Sequence, residues 1–105
     1  MKHYTVAEID ITNPGWVAEY VANVTPLVEA RGGRYLARTP RIEKIECERT
    51  PPQLFLIIEW PSKADAKAFY DSDEYRPYRE ARNAGATCEF VLVAAEDING
   101  VAHVP

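Results

Sequence analysis

A chain of 105 residues with 47% hydrophobic and 27% charged positions has material for one hydrophobic core and not for two, since domains run to about 100–150 residues. Its formal net charge of -4, with basic residues scattered among acidic ones, excludes the concentrated basic surface that binding nucleic acid requires. No apolar run approaches the roughly 20 residues of a membrane helix, and Met1-Lys2-His3-Tyr4 lacks the apolar stretch of a signal peptide, so a cytoplasmic protein with no membrane partner is expected.

Apolar and polar residues alternate from Tyr4 to Ile11, which predicts a strand that stops at Thr12-Asn13-Pro14-Gly15. Asn13 can cap a helix with its side-chain oxygen, and Pro14 suits a first turn whose N–H groups have no partner. Val17, Tyr20, Val21, Val24, Leu27, Val28 and Arg31 then share one helical face. Pro26 removes a helical hydrogen bond, which predicts a kink near Ala22 to Thr25. Gly32-Gly33 supplies the positive φ that ends such a helix.

Arg34 to Thr39 reads as a second strand that continues, after a bend at Pro40, into Ile42 to Glu48; the proline places it at a sheet edge. Thr50-Pro51-Pro52 turns the chain into Gln53 to Trp60, whose Leu54-Phe55-Leu56-Ile57-Ile58 run predicts a central strand buried on both sides. Ser62, three residues before Asp65, resembles a capping box and starts a second helix with Ala66, Phe69 and Tyr70 inside. Asp71-Ser72-Asp73 breaks that helix, and Ser72 caps a further segment carrying Tyr75, Tyr78, Ala81 and Arg82 up to Gly85. Cys88 to Ala95 is the last strand.

Strand, helix, strand, strand, helix, strand is the ferredoxin-like βαββαβ order of an α+β domain. Right-handed crossovers place both helices on one face of a four-stranded antiparallel sheet. Residues 1–96 form this domain and 97–105 a polar C-terminal tail. Strands that are apolar on both parities cannot leave the second face in water, so a second copy, a homodimer, is expected to cover it.

Asp10-Ile11-Thr12-Asn13-Pro14, Gly32-Gly33-Arg34-Tyr35-Leu36-Ala37-Arg38, Ile58-Glu59-Trp60-Pro61-Ser62 and Ala68-Phe69-Tyr70-Asp71-Ser72-Asp73-Glu74-Tyr75, followed by Arg82, occur in this order. In these motifs the chain resembles the bacterial family named domain of unknown function 1330 over about residues 3 to 96. It departs in Trp60, where the family pattern more often has Phe, and in the tail after Glu96. The resemblance implies a dimeric α+β barrel, a fold shared with monooxygenases, isomerases and cyclases that use a cleft between sheet and helices, and it implies no particular activity.

Two constellations could carry chemistry. Glu8, Arg38 and Glu59 lie on strands among apolar neighbours, where they either form an ion-pair network that sets strand register or dimer pairing, or bind a ligand. One bulge would decide whether they share a face. Tyr70, Tyr75, Tyr78 and Arg82 line the broken second helix, as core aromatics or as the wall of a pocket, and an Arg on the inner side of a helix needs an acidic partner. Ser72 is a cap, with no nucleophile elbow around it. His3 and His103 lack the company of a general base, Cys47 and Cys88 fit no metal or CxxC spacing, and no glycine-rich loop opens a helix, so neither metal nor cofactor is expected. The reading these residues support is a small-molecule-binding protein, cofactor-independent if it is an enzyme, acting on a small acidic or carbonyl compound. Arg38 and Arg82 would be its anchors, beside Phe69, Tyr70 and Trp60 in the space between sheet and second helix. The alternative is a non-catalytic structural or protein-binding homodimer.

Overall fold

The computed structural model describes residues 1–103; Val104 and Pro105, at the end of the expected tail, lie outside the described residues. The chain runs β1 (His3–Ile11), a short 3-10 turn (Pro14–Trp16), α1 (Val17–Ala30), β2 (Arg34–Thr39), β3 (Leu54–Trp60), α2 (Lys63–Tyr70), α3 (Arg76–Gly85) and β4 (Ala86–Ala94). The strands form one antiparallel sheet in the order β2-β3-β1-β4. β3 is therefore interior, and the proline-terminated β2 lies at an edge.

Local chemistry sets the boundaries. The Asn13 side chain accepts from the Gly15 N–H at 3.0 Å, and Pro14 opens the 3-10 turn. α1 runs through Pro26 as one helix, and Thr25 Oγ1 turns back to the Val21 carbonyl at 2.8 Å. The helix ends in a Schellman motif: Gly33 N–H donates to Val28 O and Gly32 N–H to Glu29 O, each at 3.0 Å, with Gly32 at φ 83°. Ser62 Oγ accepts from Asp65 N–H at 3.0 Å. Ser72 Oγ bonds the Phe69 carbonyl at 2.8 Å and the Tyr75 N–H at 3.3 Å, stitching the end of α2 to the start of α3.

The expected continuation of the second strand into Ile42 to Glu48 is not formed; this stretch is irregular. β2 is paired with β3 up to Thr39 opposite Phe55, and β3 begins one residue further on, at Leu54. A strand beyond Pro40 would have no neighbour to bond, and the segment leaves Ile45 90% exposed.

The core lies between the sheet and the helices. Ala7, Leu56, Ile58 and Trp60 meet Val24, Val28, Ala66, Phe69 and Tyr75, all buried. Trp60 Nε1 donates to Thr5 Oγ1 at 2.8 Å, giving its polar atom a partner. Among the described residues no helix covers the opposite face, where Val6, Phe55 and Ile57 are half-buried and Val91 and Val93 exposed. Beyond the last strand, Asp97 gathers the backbone N–H groups of Asn99, Val101 and Ala102 into a turn.

Candidate functional site

A small apolar cavity of about 50 Å³ opens between α1 and the sheet, walled by Ile9, Leu54 and Leu56 from the strands and by Trp16, Tyr20 and Val21 from the helical side. Tyr35 and Arg38, both on β2, complete it. Trp16 is held there by its Nε1 bond to the Gly85 carbonyl, 3.1 Å, and stands edge-on to Tyr20 with ring centroids 5.2 Å apart.

Arg38 reaches the helix side of the sheet because of a bulge between Tyr35 and Ala37. Arg34 pairs opposite Glu59 and Arg38 opposite Leu56, so two residues of the same parity point to opposite faces. Arg38 Nη1 donates to Thr25 Oγ1 at 2.9 Å, and its guanidinium stacks 4.1 Å over the Tyr35 ring. Neither partner is an anion, and Arg38 makes no ion pair among the described residues.

Behind the cavity lies a buried polar pair. The Tyr20 and Tyr75 hydroxyls are 2.5 Å apart, and Tyr75 is 1% exposed. Burial pushes the Tyr20 phenol well above its ordinary pKa, and the Tyr75 hydroxyl beside it adds to the shift. Burial raises Tyr35 as well, against the pull of Arg38. Arg82 is also 1% exposed; Nη1 meets Asn83 Oδ1 at 3.3 Å, the guanidinium lies 4.1 Å over the Phe90 ring, and Nε and Nη2 have no hydrogen-bond partner among the described residues. Desolvation opposes this charge, while the Tyr75 and Tyr20 hydroxyls nearby favour it strongly enough that its pKa is raised.

The ligand-binding residues expected from the sequence, Glu8, Arg38, Glu59, Tyr70, Tyr75 and Arg82, therefore separate. Arg38 lines the cavity under α1; Tyr75 and Arg82 lie in the core behind it. Tyr70 faces a shallow groove of about 160 Å³ between α2 and β4, with Arg79 stacked 5.0 Å over its ring. Glu8 and Glu59 are on the open face of the sheet: Glu8 binds Arg49, and Glu59 binds Lys2 at 2.9 Å and Arg34 at 3.1 Å. The expected Glu8–Arg38–Glu59 association is thus replaced by two separate surface clusters. Nor do Arg38 and Arg82 meet beside the second helix, since Arg38 lies under the first. Sequence reasoning missed Trp16, Tyr20 and Tyr35 as cavity walls, although Tyr20 stands on the apolar face of α1, where a hydroxyl inside a core needs a partner.

Among curated proteins none matches the chain. Several solved structures share its fold. A protein of unknown function from Rhodopseudomonas palustris is 15% identical, with a TM-score of 0.76 over 91% of this chain and 83% of its own. SnoaB, a cofactor-independent oxygenase from Streptomyces nogalater, is 15% identical, with a TM-score of 0.63 over 91% of this chain and 94% of its own. A dimeric ferredoxin-like protein of unknown function from Jannaschia sp. is 11% identical, with a TM-score of 0.59 over 90% of this chain and 99% of its own. Such identities speak for the fold alone. The family model for the domain of unknown function DUF1330 matches residues 2–95, and the chain belongs to that family.

Proposed function

We propose that this domain binds a small, mostly apolar molecule bearing a carboxylate or carbonyl group in the cavity under α1, with Arg38 gripping the polar group at its mouth. The observation that carries the reading is Arg38 itself: a guanidinium, the side chain best shaped for a carboxylate, stands at an apolar cavity and meets, among the described residues, a hydroxyl and an aromatic ring but no anion. Any chemistry done there would be cofactor-independent, as in the oxygenase of the same fold. Arg82, Tyr75 and Tyr20 support the site from behind. The open face of the sheet, with Val91 56% and Val93 44% exposed, suits pairing with a second copy, and one neighbour of this fold is described as dimeric.

Calorimetric titration with hydrocinnamate and valerate tests the reading. Arg38→Ala is expected to weaken binding by about 1.5–3 kcal/mol, the worth of a charged hydrogen bond, while the exposed position keeps the change in folding stability within about 0.5 kcal/mol. Binding that is absent from the wild type, or untouched by the substitution, would favour the alternative of a structural or protein-binding homodimer.

A further inference from the structure

We propose that the open face of the sheet is polarised along its strands, and that two copies pair on it antiparallel, so that the cationic end of each lies over the acidic end of the other. The inference rests on the pairing of two open faces and adds its orientation; it stands apart from the cavity under α1.

The strand registers set this face out in three rows. In the first, Glu59 lies between Arg34 on β2 and Tyr4 on β1, and Lys2 reaches it from just before β1. Two cations share that one carboxylate, at 2.9 Å from Lys2 and 3.1 Å from Arg34. The middle row, Ala37, Ile57, Val6 and Val91, is apolar throughout. In the third, Glu8 stands directly opposite Glu89, and Arg49 bonds Glu8 from the segment after β2. Two carboxylates there share one cation, and like charges facing each other across a ladder are unfavourable. Tyr4 and Glu8 are four residues apart on one strand, so the two ends are separated by about 13 Å.

A self-complementary pair of sheets packed face to face is related by a two-fold axis lying in their interface. An axis along the strands would set like end over like end. An axis across them passes through the apolar middle row and lays Lys2 and Arg34 of each copy toward Glu8 and Glu89 of the other, twice in the dimer. Charges placed this way choose the orientation, while the apolar strip between them supplies the area removed from water. The same axis brings the exposed Ile45, which borders the Glu8 end, to the end of the other copy where Ala95 N–H bonds the Lys2 carbonyl and the exposed Ile98 and Val101 follow.

Light scattering over a range of protein concentrations, on wild type, Arg34→Glu, Glu89→Lys and the variant carrying both, tests the orientation. Both side chains are exposed in the single chain. Each single change gives the two ends the same sign and is expected to weaken the dimer about tenfold, since like charges are then brought together; about 0.5 M salt should remove most of that difference. The double variant reverses the polarity rather than losing it, and should pair more tightly than either single one. Glu89→Lys moves the net charge of -4 toward zero, so relief of general repulsion would tighten the dimer where the proposal predicts a looser one. Lys2→Glu, ahead of the first strand, repeats the Arg34→Glu test with every ladder residue in place. Single variants that pair like the wild type, or a double variant no tighter than they are, would overturn the antiparallel orientation and leave the pairing of the faces standing. A monomeric wild type would remove both.

Discussion

Arg82 carries a full charge in a place that offers it one amide oxygen and one aromatic face. No carboxylate pairs with it among the described residues, so replacing it strands no buried anion. Arg82→Met is accordingly expected to leave stability unchanged or raise it by up to about 3 kcal/mol in urea denaturation, as when other buried charges give way to apolar side chains. A loss of that size would instead assign the guanidinium a structural role. Glu59 shows the opposite arrangement: hydrogen bonds from Lys2, then Arg34, hold its carboxyl below the usual carboxylate range. A depressed pKa contributes stability above the unfolded carboxylate value that is lost as pH falls through the folded one, so an acid titration of the wild type should lose stability in that window and Glu59→Gln should lose less. The Arg that meets Glu59 could not be read from the sequence. Arg34 and Arg38 have the same parity, and the single bulge that separates their faces leaves no residue signature in Tyr35-Leu36-Ala37.

At the scale of elements, the end of α3 builds the cavity wall on α1. The Gly85 carbonyl accepts from Thr12 N–H, Asn13 N–H and Trp16 Nε1, at 2.9, 3.0 and 3.1 Å. A Cβ on Gly85 would stand 2.3 Å from Trp16 Cδ1 and 2.9 Å from the Asn13 backbone oxygen. Gly85→Ala is therefore expected to cost about 1–3 kcal/mol, as overpacking does, and to shift the tryptophan fluorescence maximum as Trp16 leaves its place. An unchanged spectrum with unchanged stability would contradict the contact. Caps and breaks such as Asn13, Gly32, Ser62 and Ser72 were legible because each works through bonds to residues within a turn. Ile42 to Glu48 was not: strand propensity there met no partner strand, and pairing is decided by where β3 begins.

The whole molecule is flat, 44 × 36 × 17 Å, with a radius of gyration of 14.5 Å against about 13 Å for a compact domain of this length. One sheet with helices on a single side explains the shape and leaves the apolar strip of Val6, Phe55, Ile57, Val91 and Val93 without cover. Light scattering at micromolar concentration is expected to give a dimer, and Val91→Asp, a cheap change at a position 56% exposed in one chain, to give a folded monomer. A monomeric wild type would remove the pairing. The alternation of β3 made this open face visible in the sequence, since Leu56 and Ile58 face one side and Phe55 and Ile57 the other. The cavity was not visible, because its walls come from β1, α1, β2 and β3 together. The decisive measurement for the cavity under α1 is a crystal structure of the protein grown with hydrocinnamate. The ligand is expected under α1 with its carboxylate within hydrogen-bonding distance of Arg38; a ligand seated instead in the groove between α2 and β4, with the cavity under α1 empty, would overturn the proposed site.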